Sequence, residues 1–259
     1  MNIFTTSAIR PFLLVTTGFL ALGLTACGAG SAASEKGWHE SEAAVEAGLS
    51  PIVLLGDSVA AGEAAPLTQA VAASGAKFVD ATSTGGGNVT GPNAKAQWKR
   101  LPKTLAKAEG GTVIYQLTTY DWGSESEQRE AYERLAAETE KADADLVLVT
   151  MPPIRPDSFY KPHMSELARA AEVARSVAEE ADGVEFLDAG EVWGDRYQRV
   201  RDGEIDRSKD GIHTCPQGAA RFTAWLLDEL AELEPAFEPA EASEWAETGW
   251  TSNKNFRGC

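Results

Sequence analysis

The sequence is short of positive charge, of histidine and of cysteine. Its 259 residues include 23 lysines and arginines against 39 acidic residues, for a formal net charge of −16, with three histidines and three cysteines. A nucleic-acid partner needs a basic surface and attachment to anionic lipid needs basic clusters, so this charge balance argues against both. The histidines and cysteines lack metal-ligand spacing, and we predict no metal and no cofactor.

The chain also shows no apolar run long enough to span a bilayer, which takes about 20 residues. A shorter apolar stretch at residues 12–26 follows Arg10 and ends in Leu-Thr-Ala before Cys27. This pattern resembles a bacterial lipoprotein signal. We predict a signal peptide over residues 1–26, lipidation of Cys27 and a flexible tether over residues 27–50. Secretion with cleavage nearby is the alternative, and either interpretation exports the protein.

Residues 51–259 have the composition of one globular domain, within a chain that is 43% hydrophobic and 24% charged. Strand-like and helix-like segments alternate along them. The predicted strands are residues 52–55, 77–80, 112–117, 146–151 and 184–187, and the predicted helices are residues 67–73, 94–108, 127–141, 164–181 and 216–233. Such alternation predicts an α/β fold with a five-stranded, parallel, doubly wound sheet. Residues 235–259 form a C-terminal extension.

A serine lies where the first predicted strand ends. Gly56-Asp57-Ser58 directly follows the apolar residues 52–55, and the small residues that come next would let a substrate approach closely. Side chains at the carboxyl end of a central parallel strand face the crevice in which open α/β sheets bind ligands. Ser58 is therefore a candidate nucleophile, although the same three residues are also common in turns.

The base that a serine nucleophile requires has one good candidate near the other end of the domain. Asp210 and His213 are three residues apart, so one short loop can supply both a base and its orienting carboxylate. His39 lies in a polar stretch near the N-terminus, and His163 has no carboxylate three residues before it. His213 is the base candidate by spacing and by elimination.

Gly-Asp-Ser near the start of the domain and Asp-x-x-His near its end resemble the SGNH (GDSL-type) hydrolases. The resemblance spans residues 51–233. It implies a flavodoxin-like three-layer α/β/α sandwich and acyl transfer from an ester to water or another acceptor. By motif, Ser58 would be the nucleophile and its N–H an oxyanion donor, with His213 as the base and Asp210 as its orienter.

A glycine-rich stretch follows the second predicted strand at residues 84–91. By position it resembles the block that supplies an oxyanion glycine in SGNH hydrolases. Gly86, Gly87 and Gly91 are all candidates, and the sequence does not choose among them. A flexible loop is the alternative interpretation.

The third predicted strand leads into Thr-Thr-Tyr-Asp, where most SGNH hydrolases carry Gly-x-Asn-Asp. Tyr120 stands at the asparagine position and Asp121 matches the last position, so both are candidate oxyanion or substrate-binding residues. This departure resembles SGNH domains attached to membrane O-acyltransferases. It implies an oxyanion hole that lacks one side-chain donor, unless Tyr120 or a backbone N–H replaces it.

The remaining two cysteines form an even pair once Cys27 is set aside as a lipid site. In an exported protein such a pair usually oxidises, so we predict a disulfide between Cys215 and Cys259. It would hold the C-terminal extension beside His213. That extension contains Trp245 and Trp250, which favour packing over the domain.

The expected protein is an exported enzyme, lipid-anchored on the outer face of a bacterial cell membrane. It would act on O-acyl groups, above all acetyl groups, of a cell-envelope glycan or glycolipid, by hydrolysis or by transfer. The resemblance also allows a membrane acyltransferase as partner. The competing hypothesis is a non-catalytic envelope-binding lipoprotein that keeps the fold.

Overall fold

The computed structural model describes residues 49–259. The predicted signal peptide, Cys27 and most of the tether lie outside this part of the chain. The main strands are β1 (Ile52–Leu55), β2 (Phe78–Asp80), β3 (Thr112–Gln116), β4 (Asp145–Val149) and β5 (Val184–Leu187). The helices are α1 (Ser58–Ala73), α2 (Ala94–Leu105), α3 (Glu125–Glu140), α4 (Met164–Glu180), α5 (Gly190–Trp193), α6 (Pro216–Leu233) and α7 (Ala242–Trp245).

The five strands form one parallel sheet in the order β2-β1-β3-β4-β5. Every connection between them runs through a helix, as parallel pairing requires. The order reverses next to β1, and the carboxyl ends of β1 and β3 border the resulting crevice. The predicted five-stranded doubly wound sheet is confirmed.

Both faces of the sheet are covered, since every residue of β1 is buried. Ile52 and Leu54 pack with α1 and α6 on one face. Val53 and Leu55 pack with α2, α3 and α4 on the other. The alternation of side chains along a strand thus builds the two outer layers of an α/β/α sandwich.

Helix α1 begins at Ser58, whereas the sequence predicted a helix only from Leu67. The Asp57 carboxylate accepts a hydrogen bond from Val59 N–H at 2.9 Å and caps the helix. The small residues after Ser58 had been interpreted as room for a substrate, but they are the buried first turns of this helix. Gly62 lets α1 approach the His213 loop, because a Cβ there would come within 2.9 Å of Thr214 Oγ1.

Several short elements of the second half, including α7, were not predicted. A two-stranded antiparallel hairpin joins β6 (Val200–Arg201) to β7 (Glu204–Ile205). The single-turn helix α5 buries Val192 and Trp193. Within residues 49–259, no helix combines the length and the apolar character needed to cross a membrane.

Candidate active site

Ser58 is the first residue of α1 and lies half-buried at the carboxyl end of β1. Its backbone N–H belongs to the first turn, where N–H groups have no partner within the helix. Its Oγ lies 2.9 Å from His213 Nε2. The two sequence motifs, 155 residues apart, therefore meet in space.

Asp210 holds His213 from the other side. His213 Nδ1 lies 2.8 Å from Asp210 Oδ2, and Asp210 Oδ1 accepts the N–H groups of Ile212 and His213 at 2.8 and 3.1 Å. Burial works against ionisation, but these hydrogen bonds lower the pKa of Asp210 on balance. An ionised Asp210 assigns the ring proton to Nδ1, which leaves Nε2 free to accept the Ser58 proton.

Gly87 is the one candidate oxyanion glycine that touches the nucleophile turn. With φ at +102°, it lies so close that a Cβ would come within 2.2 Å of Gly56 O. Gly86 faces Asn93. Gly91 packs against the backbone of Tyr120, where a Cβ on the glycine would come within 2.4 Å of the Tyr120 carbonyl oxygen. Of the three glycines, Gly87 is therefore the one that packs against the turn that presents Ser58.

The loop after β3 is joined to the nucleophile turn through Asp57. Thr119 donates its N–H and its hydroxyl to Asp57 Oδ2 at 2.8 and 2.6 Å. The next residue, Tyr120, is half-buried, and its N–H is directed to Thr118 Oγ1 at 3.2 Å. Tyrosine has no side-chain amide, so the side-chain oxyanion donor that the resemblance would place at position 120 is absent there.

Asp121, predicted to contact substrate, is fully buried beneath this loop. Its carboxylate accepts the Tyr115 hydroxyl at 2.8 Å and Thr118 N–H at 2.9 Å. Burial raises its pKa to about 7 despite these hydrogen bonds. Asp121 therefore shapes the loop from below and presents no group to a ligand.

Five rings form an aromatic cluster next to Thr119 that the sequence analysis missed. Its members are Tyr120, Trp122, Phe159, Tyr160 and His163. His163 stacks on Trp122 with ring centres 3.6 Å apart, and Phe159 is 53% exposed. The cluster joins the segment after β3 to the segment after β4, a pairing that no local sequence pattern reports.

A pocket of about 640 Å³ lies along the carboxyl ends of β3, β4 and β5. Its lining includes the buried apolar side chains of Leu117, Ile154 and Leu167, and exposed charged residues such as Arg155. Arg155 N–H donates to Gly211 O at 2.8 Å, so this wall is bonded to the loop that carries Asp210 and His213.

The predicted disulfide between Cys215 and Cys259 is present. It brings the end of the chain against the His213 loop, where Ser208 Oγ donates to Gly258 O at 3.1 Å. Trp245, Trp250 and Phe256 are buried in the core cluster on the α1 side of the sheet. The C-terminal extension therefore packs on the domain and supports the candidate site.

Within the described residues, no group of three or more His, Cys, Asp or Glu side chains could hold a metal ion.

No protein-family model matches the chain, and no curated protein matches it in sequence. Solved structures, by contrast, match it in fold. An acetylxylan esterase from Geobacillus stearothermophilus is 15% identical with a TM-score of 0.51, covering 70% of this chain and 95% of that one. A GDSL-like lipase from Bacteroides thetaiotaomicron is 12% identical with a TM-score of 0.53, covering 70% and 88%. An alpha/beta hydrolase enzyme from the metagenome of Lake Arreo, Spain, is 15% identical with a TM-score of 0.50, covering 72% and 98%. The chain has the fold of the SGNH hydrolases, as the resemblance implied.

Proposed function

We propose that this protein cleaves O-acyl esters through an acyl-enzyme on Ser58. The observation that carries the proposal is the continuous hydrogen-bonded chain from Ser58 Oγ to His213 Nε2 and from His213 Nδ1 to Asp210, at 2.9 and 2.8 Å. It lies at the carboxyl edge of the sheet, beside the N-terminus of α1, where the helix dipole favours developing negative charge. No metal is needed for this chemistry.

Each group has a defined part in the reaction. His213 takes the Ser58 proton while Oγ attacks the ester carbonyl. The N–H groups of Ser58 and Gly87 stabilise the resulting oxyanion. The His213 imidazolium, stabilised by Asp210, then protonates the leaving alcohol. A water molecule or an acceptor hydroxyl then attacks the acyl group on Ser58, and His213 takes its proton. His213 passes that proton to Ser58 Oγ as the acid or the new ester leaves.

The proposed substrates are O-acyl groups, above all acetyl groups, on a cell-envelope glycan or glycolipid. Three observations support this class. One of the similar structures is an acetylxylan esterase. The exposed Phe159 and the half-buried Tyr120 offer apolar rings beside the nucleophile turn, where a sugar ring could pack. The net charge of −16 favours a neutral substrate over an anionic one.

The proposed location is the outer face of a bacterial cell membrane, with Cys27 as the lipid anchor. The Cys215–Cys259 disulfide supports an oxidising compartment. Cys27→Ser should release the protein from the membrane fraction and leave activity per molecule unchanged. Unchanged fractionation would contradict lipidation.

The function is tested by an esterase screen on short-chain esters and acetylated sugars. We expect turnover in the wild type and almost none in Ser58→Ala. Ser126→Ala is a matched control, because Ser126 is an exposed serine on α3. A folded wild-type protein that is inactive on every ester, with and without sugar acceptors, would favour the non-catalytic envelope-binding alternative.

A further inference from the structure

Arg207 is a buried cation beneath the loop that carries Asp210 and His213. Its side chain is 2% exposed. The guanidinium donates to three backbone carbonyls: Ile212 O at 2.6 Å, Pro153 O at 3.0 Å and His213 O at 3.4 Å. Two of these carbonyls belong to the His213 loop, and the third belongs to the segment after β4.

The charge of Arg207 is retained in this position. Within residues 49–259, no carboxylate forms an ion pair with it. Burial lowers its pKa to about 10, and the nearby charge of Glu63 works in the opposite direction. The guanidinium carbon lies 5.4 Å from the ring centres of both Trp193 and Tyr197, which fix the side chain in place. A rigid, cationic donor group therefore lies under the loop at neutral pH.

We infer that Arg207 is a positioning residue that sets the distance between His213 and Ser58, an inference that depends on the proposed function. The backbone N–H groups of Ile212 and His213 are bound by Asp210, and their carbonyls are bound by Arg207. The loop is thus fixed on both sides, and the bond from Arg207 to Pro153 O connects it to the segment after β4.

Only an arginine meets the geometry of this position. Its planar fork presents several N–H donors in fixed directions, whereas a lysine offers one compact ammonium group on a flexible stem. Arg207→Met keeps most of the apolar stem but removes the side-chain donor from the carbonyls of Ile212 and Pro153, which favours a shift of the loop. His213 O still accepts Ser208 N–H at 2.8 Å. A shift of about 1 Å between reacting groups can cost about 100-fold in rate.

The test is a double-mutant cycle on turnover of a simple acetate ester. Arg207→Met should lower kcat by about 100-fold with KM close to the wild-type value. In the His213→Ala background, the same change should cost almost nothing further, because Arg207 acts through His213. The kcat of Arg207→Lys should lie between the values of the wild type and Arg207→Met. Arg100→Met, at an exposed arginine on α2, is the matched control.

A second measurement reports the position of His213 directly. The proton shared by His213 and Asp210 should give a low-field NMR signal in the wild type that shifts or broadens in the Arg207 variants. If Arg207→Met does not fold, Arg207→Lys is tested by the same two criteria.

The outcomes separate this inference from the proposed function. A folded Arg207 variant with wild-type kcat, or a loss that is equally large in the His213→Ala background, would overturn the positioning role. If His213→Ala and Ser58→Ala themselves leave turnover unchanged, the proposed function fails whatever Arg207 does.

Discussion

Thr119 donates both its backbone N–H and its hydroxyl to one oxygen of Asp57, at 2.8 and 2.6 Å. The other oxygen of Asp57 caps α1 through Val59 N–H. Asp57 thus connects the loop after β3 to the turn that presents Ser58. The aspartate of the Gly-Asp-Ser motif has a structural reason to be there, separate from the chemistry of the serine.

Removing the Thr119 hydroxyl should loosen this connection. Thr119→Val preserves the shape of the side chain but leaves Asp57 with one donor fewer, at a cost of about 1–3 kcal/mol in the free energy of unfolding. Turnover should fall as well, because the nucleophile turn loses support. Denaturant titration and ester assays measure both effects, and Thr119→Ser is the control that retains the hydroxyl. Equal stability of the valine and serine variants would contradict the connection.

Tyr120→Asn tests whether a missing oxyanion donor limits simple hydrolysis. In another enzyme, losing one such donor costs about 2.7–4 kcal/mol of transition-state stabilisation. If the asparagine amide reaches the oxyanion, turnover of chromogenic esters should rise. Tyr120→Leu, which removes the ring without adding a donor, should not raise it.

The wild type should in turn be a weak esterase whose acyl transfer increases with a suitable glycan acceptor, because positioning of the acceptor lowers the barrier. Rapid hydrolysis of simple esters by the wild type, unchanged in Tyr120→Asn, would show that another group completes the hole. The protein would then be better described as an ordinary envelope esterase.

Local patterns predicted the features that depend on neighbouring residues. The apolar run of β1 and the helix over residues 216–233 were predicted, and the Asp210–His213 pair lies in one loop as its spacing indicated. The start of α1 was missed because its first turn consists of small residues, although Asp57, a typical helix-capping residue directly before Ser58, is a local signal for it.

Contacts between distant segments that carry no recognisable motif could not be predicted. Arg207 lies in a charge-rich stretch, Arg207-Ser208-Lys209-Asp210, that is typical of a solvated loop. Only in the folded chain does Pro153 lie next to Arg207, whose side chain is then buried from water. The aromatic cluster has the same origin, since Trp122 and Phe159 meet through two different connections of the sheet.

Glu63 predicts how stability depends on pH. It is fully buried on α1, where Gln116 Nε2 donates to it at 2.5 Å. Burial raises its pKa from 4.5 to about 8, against the effects of Gln116 and of the Arg207 charge. Between these values the folded protein binds a proton that the unfolded chain releases, so the free energy of unfolding should decrease as pH rises.

In Glu63→Gln, the free energy of unfolding should therefore fall less steeply as pH rises. Denaturant titrations at about pH 5 and about pH 8.5 compare the two proteins across the window. Part of the slope should remain, because the raised pKa of Asp121 acts in the same direction. An identical pH dependence in wild type and variant would show that Glu63 does not titrate in this range.

Loss of the disulfide should destabilise the domain. It joins residues separated by 44 positions, and the chain-entropy model assigns a loop of this size about 4 kcal/mol. Cys215→Ala with Cys259→Ala should lower the melting temperature and, by freeing Gly258 from Ser208, reduce kcat modestly. Cys27→Ser is the control that keeps the bond. Unchanged stability would show that the extension is held by packing alone.

The most direct measurement is covalent labelling by a fluorophosphonate, read by intact mass and peptide mapping, because only an activated serine reacts readily. We predict one label per molecule, on Ser58, absent in Ser58→Ala and strongly slowed in His213→Ala. The turnover lost in the Ser58→Ala, His213→Ala double variant should be little more than in either single variant, since the two residues act as a unit. A folded wild-type protein that takes no label, or one whose label remains in Ser58→Ala, would contradict the account.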